Sequence, residues 1–280
     1  MAHRQRHPSV WMTAMADCRP PPWKLATVGL VAGFGGGLAS LGGGTLIIPL
    51  LSEWLGLDRH QARGTAMAVA GITALTGALS YASQGQVHWP TLLWTGLPAA
   101  LAAPWAARIS QHWSDQLLRR LFGLVLLAGA TALLFHPGPG RGFADHWPHA
   151  WLLITGVVAG IVAGVLGVSG GPVLAPLFVL GLGMPQQLAQ GSSLDARLPA
   201  IAASLVEDHR EGLVCWPLLP WLMAGDLAGV IAGTSLALTL PEAVLRRFFA
   251  LLLVHLAFHE WADRPFHPHF QHRRAHSSYP

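Results

Sequence analysis

The chain has 280 residues, of which 52% are hydrophobic and only 11% charged, with a formal net charge of +4. A soluble domain carries roughly 25% charged residues, so this chain lacks the polar surface that a water-exposed globule needs. A soluble α/β protein would also interrupt its apolar runs with charged amphipathic helices, and those are missing here.

Residues 1–24 read as a basic N-terminal tail on the cytoplasmic side, with Arg4, Arg6, Arg19 and Lys24. The tail has no short apolar run ending in a small-residue cleavage site. A removable signal peptide is therefore not expected, and insertion would use the first hydrophobic segment. That segment, 24–57, is broken by glycines and then by Pro49. Plainer helices are predicted over 62–83, 90–108 and 119–135. A bilayer core needs about 20 apolar residues per helix, and Thr65 to Ala107 holds no Lys, Arg, Asp or Glu at all, so it accommodates two elements and a turn. Residues 136–149, with Pro137, Pro139 and several glycines, read as a linker loop. A second broken segment, 150–182, precedes helices predicted over 189–206, 217–235 and 245–260. Residues 261–280 form a His- and Arg-rich C-terminal tail.

Sliding the chain on itself by 127 positions aligns its halves without a gap. Gly29, Gly33 and Gly37 fall on Gly156, Gly160 and Gly164, and Pro49 falls on Pro176. Trp89-Pro90 meets Trp216-Pro217, and Leu118-Arg119-Arg120 meets Leu245-Arg246-Arg247. Chance matching of Leu, Ala and Gly could not also align the Trp-Pro and Arg-Arg pairs in one register. The expected fold is an all-α polytopic membrane protein of two tandem homologous repeats, 25–135 and 150–260. Each repeat is a Gly/Pro-broken helix, re-entrant or spanning, followed by three transmembrane helices.

Basic residues near the two ends and in a few loops read as topology signals, not as a nucleic-acid face. If the broken segments re-enter, counting Lys and Arg puts the N-terminal tail, Arg59, Arg63, Arg108, Arg119, Arg120, Arg210 and the C-terminal arginines inside. Only Arg141, Arg246 and Arg247 then lie outside, a separation that eight full spans do not match in any orientation, so inverted halves are the expectation. The Arg pairs are expected to start helices at membrane edges, and the Trp-Pro pairs to sit at the interface. Cys18 and Cys215 are too few for a disulfide framework or a zinc site.

Glycine inside a helix costs about 1 kcal/mol against Ala, and proline about 3. In hydrocarbon, freed backbone groups cost more unless protein or water satisfies them. Paired interruptions in two halves therefore point to a transporter's binding site, where half-helix N-termini can face an anion. Gly42, Gly43, Gly44 and Thr45, with Ser169, Gly170 and Gly171 in the second copy, are the expected lining. Gly29 and Gly33 are expected to serve close helix packing instead.

Leu41-Gly42-Gly43-Gly44-Thr45-Leu46-Ile47-Ile48-Pro49-Leu50-Leu51, followed by Ala62-Arg63-Gly64-Thr65, resembles the TauE/SafE family. The second copy carries Gly170-Gly171-Pro172 to Pro176 and Gly191-Ser192-Ser193. The resemblance covers about residues 25–260. It implies export or permeation of sulfite, sulfonates or related small anions across the inner cell membrane, by alternating access coupled to an ion gradient. It extends the expected substrate lining to Gly64, Thr65, Gly191, Ser192 and Ser193.

Asp195 and Arg197 fall inside a predicted span and face Ala68 and Ala70 in the other half. Two residues apart on a helix they point to different faces, so each is expected to have its own partner. Arg197 is a candidate for holding an oxyanion, and Asp195 for carrying a coupling proton; both could instead snorkel to the interface. Asp226, opposite Ala99, is a similar candidate with a weaker case, and Arg63 is a candidate gate. His255 and His259 have the i, i+4 spacing of a metal pair, with Glu260 beside them. They leave open an intramembrane enzyme or a metal-handling or assembly protein, but the expectation is a non-enzyme with no cofactor and no metal. The expected partners are a small anion, a coupling proton and the lipid bilayer, with self-association left open and nucleic acid excluded.

Overall fold

The computed structural model describes residues 20–40, 43–54, 57, 59–110, 115–135, 140, 148–166 and 170–262. Among these the regular structure is all helical. In chain order the helices are α1 (Pro22–Ala39), α2 (Gly43–Trp54), α3 (Arg59–Ala82), α4 (Leu97–Ser110), α5 (Asp115–Phe135), α6 (Pro148–Leu166), α7 (Gly171–Leu182), α8 (Gln186–Arg210), α9 (Leu219–Thr239) and α10 (Glu242–Ala262). A π-turn, Leu92–Gly96, leads into α4, and a 3₁₀ turn, Trp216–Leu218, leads into α9. Pro98, which lacks an N–H, follows the π-turn, and Pro104 lies within α4.

The helices are interrupted at the second glycine cluster of each copy, with α2 starting at Gly43 and α7 at Gly171, and not at the first triplet or the prolines. Gly35, Gly36 and Gly37 stay helical within α1, Pro49 lies within α2 and Pro176 within α7. With no water to take up freed backbone groups, glycine keeps its ladder bonds. The chain leaves α1 at Ser40 and enters α7 at Gly170, both in the left-handed region (φ 52° and 68°). The Arg pairs likewise do not start helices: α5 begins at Asp115 and α10 at Glu242, whose carboxylate lies 3.6 Å from Arg246 one turn on.

At 12 residues each, α2 and α7 span roughly 18 Å, well short of the roughly 30 Å hydrocarbon core. α7 folds back along α6. Trp151, near the start of α6, donates Nε1–H to the Leu177 carbonyl (3.1 Å), and Gly181 sits against its indole ring. On the other side, Ile47 and Leu51 of α2 share a core with Leu25, Val28 and Ala32 of α1.

Backbone contacts set the remaining order. A Cβ added at Gly29, Gly33 or Gly37 of α1 would meet the carbonyl oxygen of Leu222, Asp226 or Val230 of α9 at 2.1, 2.2 and 2.6 Å. At Gly156, Gly160 and Gly164 of α6 it would meet Thr95, Ala99 and Ala103 at 2.4, 2.5 and 2.1 Å. The second set is the first moved by the 127-residue offset with the halves exchanged. Both pairs run parallel. α3 and α8 instead run antiparallel, with Gly64 on Leu213, Gly77 on Leu194 and Gly191 on Gln86. Each ends in the same turn: Gly85 and Gly212 have φ 70° and 68°, and Gln86 and Leu213 donate to the carbonyls of Tyr81 and Asp208 at 2.9 Å.

The exterior is apolar. Leu101 is 80% exposed and Phe135 87%, with Trp105, Leu251, Leu79 and Leu124 also outward. Helices over Gln61–Ala82 and Trp216–Thr239 are long and apolar enough to cross a bilayer by themselves, and shorter apolar helices flank them.

Because Gly33 touches backbone that cannot swing aside, Gly33→Ala should cost about 1–3 kcal/mol by overpacking and lower the thermal unfolding midpoint in detergent. Gly71, whose nearest neighbour is Ile201 Cγ2 at 3.6 Å, has room. Gly71→Ala should be neutral or raise the midpoint through helix propensity. Equal midpoints for the two variants would refute the glycine contact as the basis of the α1–α9 seam.

Candidate functional site

The end of α1 and the start of α7 meet in the protein interior. Ser40, at the end of α1, is fully buried, and its carbonyl oxygen lies 2.4 Å from where a Cβ of Gly171 would be. Its hydroxyl donates to the Gln190 carbonyl (3.1 Å) and pairs with the Ser193 hydroxyl on α8. A serine in the left-handed region is uncommon and costly, and such residues cluster where surrounding structure holds them for function.

Arg197 reaches the same point from α8. It is 2% exposed, with Nε donating to the Ser193 carbonyl (2.9 Å) and one Nη 3.4 Å from the Ser40 hydroxyl. Its other Nη would lie 2.1 Å from a Cβ at Gly171, so only glycine lets the guanidinium approach the first turn of α7. The guanidinium and the positive end of α7 thus share one buried volume, an arrangement stabilised by negative charge.

Tyr81, at the end of α3, closes one side of this cluster. Fully buried, its hydroxyl lies 3.0 Å from the Gly37 carbonyl and 2.8 Å from Gln190 Oε1. One phenol proton cannot serve two acceptors. Turning the Gln190 amide over lets Nε2, otherwise without a partner, donate to the phenol oxygen while Tyr81 donates to Gly37.

The structure brings together Gly171, Ser193 and Arg197, with Gly170 beside them. Gly43 and Gly44 start α2, and the side chain of Thr45 lies outside the described residues, as do Gly42 and Ser169. Thr65 and Ser192 sit apart, in matching roles: the Cys215 N–H donates to Thr65 Oγ1 (3.1 Å) and the His88 N–H to Ser192 Oγ (2.9 Å). Gly64 and Gly191 are backbone contacts with Leu213 and Gln86. Asp195 and Arg197 are buried and face different partners, not the interface; Asp195 Oδ2 is 3.4 Å from Thr91 Oγ1. Arg63 is exposed, beside Asp208 near the end of α8.

Around the loop that follows α3, burial and the neighbouring His149 lower the pKa of His88, whose Nδ1 has no partner. Burial raises that of the Cys215 thiol, partly offset by Thr65. His255 and His259 point outward from α10, the side chain of Glu260 lies outside the described residues, and no group of three His, Cys, Asp or Glu suited to a metal occurs among the described ones. Sequence reasoning missed Ser40 and Tyr81. The signal for Ser40 was its place just before Leu41-Gly42-Gly43-Gly44, at a helix end.

Comparison with known proteins comes down on one family. The profile described as "Sulfite exporter TauE/SafE" matches residues 2–133 and 152–279. "Probable membrane transporter protein YdhB" of Bacillus subtilis is 24% identical over 226 residues, covering 78% of this chain and 90% of that protein. "Probable membrane transporter protein YunE" of the same organism is 21% identical, covering 81% and 94%. A "Probable membrane transporter protein" of Haemophilus influenzae is 22% identical, covering 82% and 94%. No solved structure matches.

Tyr81→Phe strands the Gly37 carbonyl and the Gln190 amide, so it should destabilise the protein by about 1–3 kcal/mol. Adding Gln190→Leu removes one stranded group and should recover part of the loss. Thermal unfolding of both variants checks this, and no change on Tyr81→Phe would remove the phenol from the cluster's supporting bonds.

Proposed function

The chain belongs to the sulfite exporter TauE/SafE family, a family of membrane transporters and not of enzymes, and on that premise we propose that it is a secondary transporter of a small sulfur oxyanion, sulfite or a sulfonate. The observation that carries the reading is Arg197, a buried guanidinium held against Gly171 at the first turn of α7 and beside the hydroxyls of Ser40 and Ser193. A guanidinium fork matches an oxyanion in geometry as well as charge, and hydroxyls can rotate to donate. Gly42–Thr45 in the first copy and Ser169–Gly171 in the second complete the proposed lining, with Gly64, Thr65 and Gly191–Ser193 bordering it.

We read the chain as a multi-pass protein of the inner cell membrane, built from two inverted copies of one unit. The contacts of Gly29, Gly33 and Gly37, repeated by Gly156, Gly160 and Gly164 with the halves exchanged, support a two-fold relation. The antiparallel run of α3 on α8, the equivalent helices of the two units, supports inversion. The short α2 and α7 favour re-entrant hairpins that meet near the midplane. Alternating access then moves one glycine-seamed pair, α1 with α9 or α6 with α4, against the other. In this scheme Asp195 carries a coupling proton and Arg63, with Asp208, gates the cytoplasmic side.

Two measurements test the proposal. Reconstituted vesicles should take up labelled sulfite or a sulfonate under an imposed gradient. Arg197→Gln should weaken apparent affinity roughly ten- to hundredfold, the worth of a charge-assisted bond, while folding normally. Absence of anion flux under every gradient would sink the transporter reading. For topology, Gln84 and Glu211 occupy equivalent exposed turns. In a cysteine-free background, Gln84→Cys should react with an impermeant maleimide from outside and Glu211→Cys only from inside. Labelling of both from one side would replace inversion with parallel halves.

A further inference from the structure

Asp226 is used by none of this. It lies in α9, 0% exposed, where α9 presses on Gly29 and Gly33 of α1. Its carboxyl meets one donor, Thr73 of α3, whose Oγ1 is 2.9 Å from both carboxylate oxygens and 3.1 Å from the Val69 carbonyl. In the other half the equivalent position is Ala99, pressed on Gly160 in the same way. The carboxyl is therefore an addition to a contact that works without it.

Thr73 has one proton and three oxygen neighbours. If Asp226 is ionised, that proton goes to the carboxylate. A full charge then sits at a three-helix junction with a single neutral donor, a costly state inside a membrane protein. If Asp226 is protonated, its O–H donates to Thr73 Oγ1 and Thr73 donates to Val69, so that all three groups are satisfied by contacts already present. The ionisable side chains on the helices packed against α9 are Lys24 on α1 and Arg59, His60, Arg63 and Tyr81 on α3. Each lies more than a helical turn of about 3.6 residues from Gly29, Gly33 or Thr73, and α9 carries no other ionisable residue.

We propose that Asp226, paired with Thr73, is a proton-binding site distinct from Asp195, neutral in this arrangement, which releases its proton to water only when the α3–α9 contact opens. The inference rests on the transporter reading for its place in a cycle, but not for the site itself. On opening, the Asp226 O–H bond breaks, the proton passes to water on that side, and the carboxylate is left hydrated. Uptake from water on the other side re-forms the bond before the contact closes. A proton carrier on α9 is thus added to Asp195, and it lies away from the anion held by α8.

Two variants test it on the full chain in lipid vesicles. Asp226→Asn keeps the shape and the donor to Thr73, and Asp226→Ala installs the residue that the other half already accommodates at this contact. Infrared difference spectra, wild type minus variant, should contain a protonated-carboxyl C=O band for both variants. Both should retain sulfite exchange at equal pH on the two sides while their accumulation driven by a pH gradient falls. A difference spectrum that lacks this band for either variant, or gradient-driven accumulation equal to wild type, overturns the proposal. If wild-type vesicles pass no sulfite under any gradient, the transporter reading fails, and the infrared band alone still decides whether Asp226 binds a proton.

Discussion

Lipid tails are as apolar as leucine, so helices in a bilayer gain nothing by hiding apolar faces from them. What holds them together is dispersion at short range, and that needs backbones to touch. Gly29, Gly33 and Gly37 against Leu222, Asp226 and Val230, and Gly156, Gly160 and Gly164 against Thr95, Ala99 and Ala103, provide that contact. The partner at each point is a carbonyl oxygen, so sliding either seam by one residue drives carbonyls into α-carbons. The seams fix register as well as proximity. They tie α1 to α9 and α6 to α4 as stiff pairs, each pair joining helices far apart in the chain. Between them, α3 and α8 meet partly through side chains, Gly71 near Ile201 and Gly77 near Leu194. Side chains there can change rotamer where carbonyls cannot.

Much of this was legible in the sequence because the constraint is compositional. Few charges, long uncharged runs and glycines at i, i+4 spacing specify apolar helices with close seams before any contact is known. The offset of 127 also marked which glycines share a role. The seam partners were not legible. A glycine that meets Thr95 and one that meets Leu222 look alike locally, since the partner is set by topology. The first glycine triplet misled for a definite reason. In water a triple glycine ends a helix, but in an apolar setting the backbone holds its own bonds, so Gly35–Gly37 stay helical and the break moves to Ser40. Ser40 then carries the left-handed conformation that glycine usually takes, fixed by Gln190 and Ser193 of a distant helix. Its place before Leu41-Gly42 marks a helix end, but nothing local shows that its support lies 150 residues away.

The candidate site was half legible. Arg197 and Asp195 stood out because charges in apolar runs are rare, and their spacing predicted separate partners, which the structure gives them: Ser193 and Ser40 for one, Thr91 for the other. Asp226 stood out in the same way, yet nothing in the sequence ties it to Thr73. Tyr81 and Gln190 were hidden altogether, because a tyrosine at a helix end is ordinarily an interfacial anchor. Its burial goes with the close approach of Tyr81 and Gln86 to Gly191, near the start of α8.

The chemistry gathers where the offset fails. Arg197 corresponds to Ala70, Asp195 to Ala68 and Asp226 to Ala99, while Tyr81–Gln190 on one side corresponds to Asp208–Arg63 on the other. Physical reasons favour this division. Repeating Arg197 at position 70 would bring a second guanidinium into α3, facing the same central cluster. Two like charges in a low-dielectric interior repel strongly, and each pays its own desolvation cost. A single guanidinium against the first turn of α7 avoids that repulsion. The seams and turns can therefore be nearly two-fold. The charged groups need not be, and the alanines opposite them keep the other half of each contact small enough to close.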